Sequence, residues 1–240
     1  MLSKIGVLCF WLGIWQLAAM SVGHSILLPL PSEVILELGE MFITSSFWIT
    51  ITYSTSKIML GLMLGLVLGF LFSVLSFRYR IIKSIIHPAV TVLKSVPVAS
   101  FIILILVWIS SDSLSITISA IMSFPIVYTN LYSAFINLDP QLSEMSSVFR
   151  LTTITRLRYI YLPQILPYFK SAVLICVGFC FKSGITAEII GLQPNTIGDA
   201  LHNSKMYLDI PNLFAWTLVI IALSFLLERI STWLISKIEV

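Results

Sequence analysis

The sequence predicts an all-α integral membrane protein of about six transmembrane helices, with one amphipathic segment of two short helices set between the fourth and fifth. Three observations lead there. Of 240 residues, 58% are hydrophobic and 10% charged, against about 25% charged in an ordinary soluble domain. Apolar windows of the roughly 20 residues needed to cross a bilayer recur along the chain. The few charges, net +3, are gathered in patches on alternate connections instead of being spread over a surface. Lipid is thus the solvent this composition fits, and no nucleic-acid partner is expected.

The first window, residues 5–22, has an apolar run longer than a secretory signal core, and Ala18, Ala19 and Met20 make a poor cleavage site, so it reads as a span. The second, residues 54–77, holds Gly61, Gly65 and Gly69 on one helical stripe. In lipid, where apolar burial gives helices no mutual attraction, such small residues let two backbones pack closely. The third, residues 87–109, is interrupted by Pro97, and Lys94 can extend its amine to the interface. The fourth, residues 114–136, is uncharged but carries Pro125 and Asn130. A proline there removes a helical hydrogen bond and kinks the span, and the asparagine amide suits a bond to another helix or to a substrate. The fifth and sixth are residues 164–187 and 212–235.

Positive charge sets the orientation. Arginine and lysine follow the second span in "RYRIIK" and the fourth at Arg150, Arg156 and Arg158, whereas residues 23–56 carry Glu33, Glu37 and Glu40 with no Lys or Arg. With Lys4 and Lys237 on the same side as the arginines, both termini and segment 140–163 are expected in the cytoplasm.

That segment, with the stretch "EMSSVFRLTTITRLRYIYLP" at its heart, is too polar to span and too apolar for water. It reads either as an interfacial helix held by anionic membrane lipid or as a docking surface. Cys9, Cys176 and Cys180 lie in apolar runs without further ligands nearby, which makes them packing residues and leaves no metal site. No nucleophile, base and orienting group can be assembled into a catalytic set, so the chain is not expected to be an enzyme. Lys182 and Glu188, ionisable within or near the fifth span, are pathway candidates beside Asn130, because charge at membrane depth is costly and commonly functional.

The central stretch resembles the cytoplasmic loop of permease subunits of binding-protein-dependent ABC importers, E-A-A-x3-G-x9-I-x-L-P. Glu144, Ile160, Leu162 and Pro163 fall on its anchors at the family spacing, while Met145 and Ser146 replace the alanines and Arg150 replaces the glycine of the turn. Arginine there costs little at negative φ and is disfavoured at positive φ. Residues 184–228 and the stretch "LKSVPVASFIILILVWIS" are similar to the nitrate, taurine and alkanesulfonate group of that family.

The resemblance implies a single permease domain over residues 1–240 in a prokaryotic cytoplasmic membrane, usually paired with a second copy. An extracytoplasmic binding protein would deliver a small solute, and the charge of Lys182 near the pathway is expected to favour an anion. No G-x4-G-K-[ST] phosphate loop occurs in the chain. ATP and Mg are therefore expected on a separate ATPase, docked on residues 140–163. In that dock Phe149, Leu151 and Leu157 would form an apolar wedge, Glu144 and Arg156 its polar rim, and Pro163 would set the angle to the fifth span, with Ser146, Arg150, Ile160 and Leu162 completing the segment. A stand-alone secondary transporter or channel is the alternative reading.

Overall fold

A computed structural model describes residues 2–237, and these are helical with no strand among them. In chain order the helices are α1 (Leu2–Val22), α2 (Pro31–Ile43), α3 (Ser45–Arg78), α4 (Arg80–Ser95), α5 (Val98–Ile105), α6 (Ser111–Ile136), α7 (Pro140–Val148), α8 (Thr153–Arg156), a π-helical turn at Leu157–Tyr161, α9 (Leu162–Gly191), α10 (Ile197–Met206) and α11 (Ile210–Ser236).

Four helical bodies are long and apolar enough to cross a membrane: α3, α6, the rod Thr153–Gly191 formed by α8, the π turn and α9, and α11. The expected third span is not one helix. It divides into α4 and α5, which meet at 109°, and the pair makes a fifth crossing only when taken together. The cause is Pro97, which cannot donate to the helical ladder and forces Val96 into extended backbone at φ −86° and ψ 134°. In α1 the apolar stretch Cys9–Val22 is shorter than the other crossings. Among the described residues, four of the six expected crossings are thus single long helices and a fifth is a broken pair.

α3, α6 and α9 form the centre, with α3 against α6 and α6 against α9 the largest contacts. The packing runs on small residues. Gly61 faces the Ile116 carbonyl and Ser119, Gly65 faces Ser123 and the Ala120 carbonyl, and a Cβ at Gly69 would lie 2.6 Å from that of Val127. From α9 the Cys180 thiol donates to the Ser119 carbonyl at 3.3 Å and the Cys176 thiol to the Ser123 carbonyl at 3.8 Å. Pro125 lies inside α6 without ending it. Just beyond it Thr129 and Asn130 turn their side chains onto the helix's own carbonyls, the hydroxyl to Pro125 at 2.8 Å and the amide to Ile126 at 2.8 Å.

Two helices, α2 and α10, lie at the end of the bundle opposite α7. Both start on chemical signals that are local and short. Pro31 opens α2 and Glu33 accepts from the Leu30 amide at 3.0 Å. Thr196 caps α10 by accepting from the Asp199 amide at 3.2 Å, and Asp199 accepts in return from the Asn195 amide at 3.0 Å.

Candidate functional site

Segment 140–163 begins at Asp139, whose carboxylate accepts from the Gln141 amide at 2.8 Å while Pro140 occupies the first helical position. α7 ends in a Schellman motif: the Arg150 amide bonds the Ser147 carbonyl at 3.1 Å and the Leu151 amide bonds the Ser146 carbonyl at 3.0 Å. The residue that must be left-handed in this motif is Arg150, at φ 48°. The chain therefore keeps the turn that a glycine would ease and accepts a strained arginine in it. Ser146, in place of the second alanine, is fully buried, with its hydroxyl donating to the Ser143 carbonyl at 2.6 Å. A small residue suits this buried position, whose carbonyl takes the returning Leu151 amide.

After the turn Thr152 caps α8, accepting from the Thr155 amide at 3.3 Å. Pro163 does not end this second short helix. The helix runs on through it, because the ladder slips by one residue to an i→i−5 bond, the Leu162 amide to the Leu157 carbonyl, just before the proline that has no amide to give. Gln164 covers the Ile160 carbonyl with its side-chain amide at 2.8 Å, and its oxygen accepts from the Asp139 amide at 2.8 Å, tying both ends of the segment together.

The solvent side of this segment is apolar at its tip. Val148 and Ile154 are 79% exposed, Phe149 69% and Leu157 56%, with exposed Glu144, Arg150 and Arg158 around them. Leu151 is half-buried and Ile160 buried, so Val148 and Ile154 stand out where Leu151 was expected. Arg156 is turned inward, its guanidinium donating to Ser147 Oγ at 3.1 Å, and its Nε is buried without a partner.

Glu188 lies far from that tip, at the other end of α9, and is fully buried. Its Oε2 accepts from Ser54 Oγ of α3 at 2.9 Å and from the Gly198 amide in the first turn of α10 at 3.1 Å, and Ser54 Oγ accepts in turn from the Ile197 amide at 2.8 Å. A carboxylate at a helix N-terminus meets free amides and the positive end of the helix dipole. Gly198 has no room for a side chain, because a Cβ would run into the backbone of Glu188. Glu188 is thus a clasp between α9, α10 and α3. Lys182, two turns earlier, is exposed on the cleft between α9 and α11, which it lines with Glu228. Asn130 spends its amide on its own helix and is half-buried.

Over residues 61–240, three quarters of its length, the chain matches the family described as binding-protein-dependent transport system inner membrane component. It belongs to that family. The permease is 24% identical over 227 residues to a probable ABC transporter permease protein of Brucella melitensis, covering 94% of this chain and 92% of the other. It is 26% identical over 199 residues to the putative aliphatic sulfonates transport permease protein SsuC of Escherichia coli, covering 82% and 75%. With the formylaminopyrimidine transport permease protein ThiX of Halalkalibacterium halodurans it shares 22% over 203 residues, covering 84% and 80%.

Among solved structures, an amino acid ABC transporter superposes with TM-score 0.60 at 16% identity, covering 84% of this chain and 94% of the other. The inward-facing MetNI methionine ABC transporter superposes with TM-score 0.58 at 16% identity, covering 80% and 94%. These two share the fold. The permease is accordingly the multi-pass, non-catalytic membrane component of a binding-protein-dependent ABC transporter, whose partners include an ATPase that hydrolyses the ATP and a binding protein. This membership sets aside the stand-alone channel or secondary transporter. Glu228 was missed as a neighbour of Lys182, since the two become adjacent only when α9 packs on α11.

Proposed function

We propose that this permease is one of two copies surrounding an import pathway, that each copy is a single domain, and that ATP-driven motion enters through residues 140–163. In this reading α1 and the α4–α5 pair complete six crossings, and both termini lie on the ATPase side. The observation that carries the docking role is the apolar tip of Val148, Phe149, Ile154 and Leu157, held rigid by the Schellman turn at Arg150 and ringed by charge. Such a tip, exposed to water, matches a preformed apolar groove. Glu144 supplies a polar contact at its rim, and Ser146, Ile160, Leu162 and Pro163 hold its base.

The solute is a small molecule handed over by an extracytoplasmic binding protein. An aliphatic sulfonate or similar organic anion is the class we favour, on the resemblance to SsuC. Lys182 does not by itself select an anion, because Glu228 in the same cleft offsets its charge.

The test of the docking role is co-purification of the partner ATPase with tagged permease. Wild type retains the ATPase, and Glu144→Arg reaches the membrane at normal level but loses it. Full retention of the ATPase and of transport in that variant would overturn the assignment of the loop.

A further inference from the structure

The cleft between α9 and α11 holds two ionisable groups that the coupling segment and the Glu188 clasp leave unexplained. It has a volume of about 400 Å³ and is lined by Leu174, Ile175, Gly178, Phe179, Lys182 and Glu228. Lys182 lies nine residues from the end of α9 at Gly191, and Glu228 eight residues from the end of α11 at Ser236. Each is therefore roughly 12 Å of helix or more inside its crossing, at 1.5 Å per residue. The Glu228 carboxylate rests against Gly178, where a Cβ would collide with its Oε1, and Gly178 is one turn from Lys182 on the same face of α9. Among the described residues neither side chain has an ion-pair or hydrogen-bond partner, yet both open outward.

Hydrocarbon is a poor cover for them. An amine and a carboxylate set among apolar side chains and back from the helix ends are tolerated where they meet each other, another protein or a water-filled pathway. The surrounding surface is apolar, with Ile175 52%, Phe179 41%, Ile221 47% and Phe225 69% exposed, as at the dry centre of a protein interface. A face with one acid and one base is also self-complementary. A two-fold axis that brings the acid of one copy to the base of the other does the same in reverse, so a single surface yields two pairs.

We propose that Lys182 of each copy pairs with Glu228 of the other, so that two symmetric ion pairs close the α9–α11 cleft between the permease copies. Each cleft is incomplete without the partner's acid or base. This rests on the two-copy reading above and adds to it the residues that join the copies.

Charge reversal in trans separates this arrangement from a pair within one chain. Two copies with different tags are expressed together with the neighbouring ATPase, and the tags are pulled down from mild detergent. Wild type with wild type must co-purify; if it does not, the two-copy reading itself falls. Lys182→Glu with Lys182→Glu, and Glu228→Lys with Glu228→Lys, place like charges at both contacts and are expected to lower co-purification at least tenfold. Lys182→Glu in one copy with Glu228→Lys in the other restores opposite charges at both contacts and is expected to recover it.

A pair within one chain gives the opposite result, since each mixed-pair chain still carries two like charges. Loss in the mixed pairing, or no loss in the single-variant pairings, overturns the proposal. Should a reversed chain fail to reach the membrane, a second measurement decides. In a Cys9→Ser background, Lys182→Cys in one copy and Glu228→Cys in the other are expected to form a disulfide-linked dimer bearing both tags. Cross-linking only when both cysteines are in the same chain would overturn the proposal.

Discussion

Replacing Glu188 by alanine strands two donors at once, the Ser54 hydroxyl and the Gly198 amide, both at positions closed to solvent. A buried donor left without its acceptor costs about 1–3 kcal/mol, so the pair costs about 2–6 kcal/mol. The lower end applies if Ser54 rotates to a carbonyl of its own helix. Glutamine at the same position keeps one oxygen where Oε2 sits. It also places an amide where Oε1 now lies buried with no partner, in a cluster where Gln193 Oε1 is likewise unpaired. Glu188→Gln is thus expected within about 1 kcal/mol of wild type.

At roughly 2–4 °C per kcal/mol for a chain of this size, thermal unfolding in detergent should fall by roughly 4–24 °C for Glu188→Ala and by only a few degrees for Glu188→Gln. Hydrogen exchange should report the loss first at Ile197 and Gly198, the amides the clasp covers. An equal fall for alanine and glutamine would refute the reasoning, because it would mean that the charge of the carboxylate, and not its acceptor geometry, holds α10.

Three further outcomes follow from other parts of the molecule. Arg150→Gly removes the left-handed penalty of about 1–2 kcal/mol while adding about 0.5–1 kcal/mol of unfolded-chain entropy. Its Arg150–Leu151 amides should exchange more slowly, and faster exchange would refute the account of the turn. Gly65→Leu drives a side chain into Ser123 and the Ala120 carbonyl and should cost at least about 1–3 kcal/mol as overpacking, read as a lower unfolding temperature, whereas Gly13→Leu on α1 meets open space and should not lower it. Phe149→Asp, at a site 69% exposed, should leave stability unchanged but cut ATPase co-purification at least tenfold, and unchanged co-purification would remove Phe149 from the dock.

The long crossings were legible because lipid imposes a length and an apolarity that a sequence cannot hide. α3, α6 and α11 begin and end within a few residues of their apolar windows, apart from the nine extra residues by which α3 starts early at Ser45. What was missed is short or turns on geometry. α10 announces itself only through Thr196 and Asp199, a capping pair inside a polar connection, and α11 through Asp209 and Pro211. The break at Pro97 was visible as a proline but not as a 109° bend, which depends on α5 leaving α4 to pack on α9. In the docking segment the spacing of Glu144, Ile160, Leu162 and Pro163 was plain. The sign of φ at Arg150 was not, since it is set by where α8 must point. Glu188 was recognised as unusual from its charge alone, but its partners, Ser54 and Gly198, come from 134 residues before it and 10 after it.

The slip in hydrogen bonding at Leu157–Tyr161 has a mechanical consequence. Because the helix continues through Pro163, the exposed tip near Ile154 and the clasp at Glu188 are carried by one rod, Thr153–Gly191, about 58 Å long at 1.5 Å per residue. Its half nearer Gly191 packs along α6, at Cys176, Cys180 and Gly191, and ends on the carboxylate that holds the amides of α10. A displacement of the exposed tip would therefore be carried along one continuous helix toward that packed half, whose contacts are made by small side chains at close range.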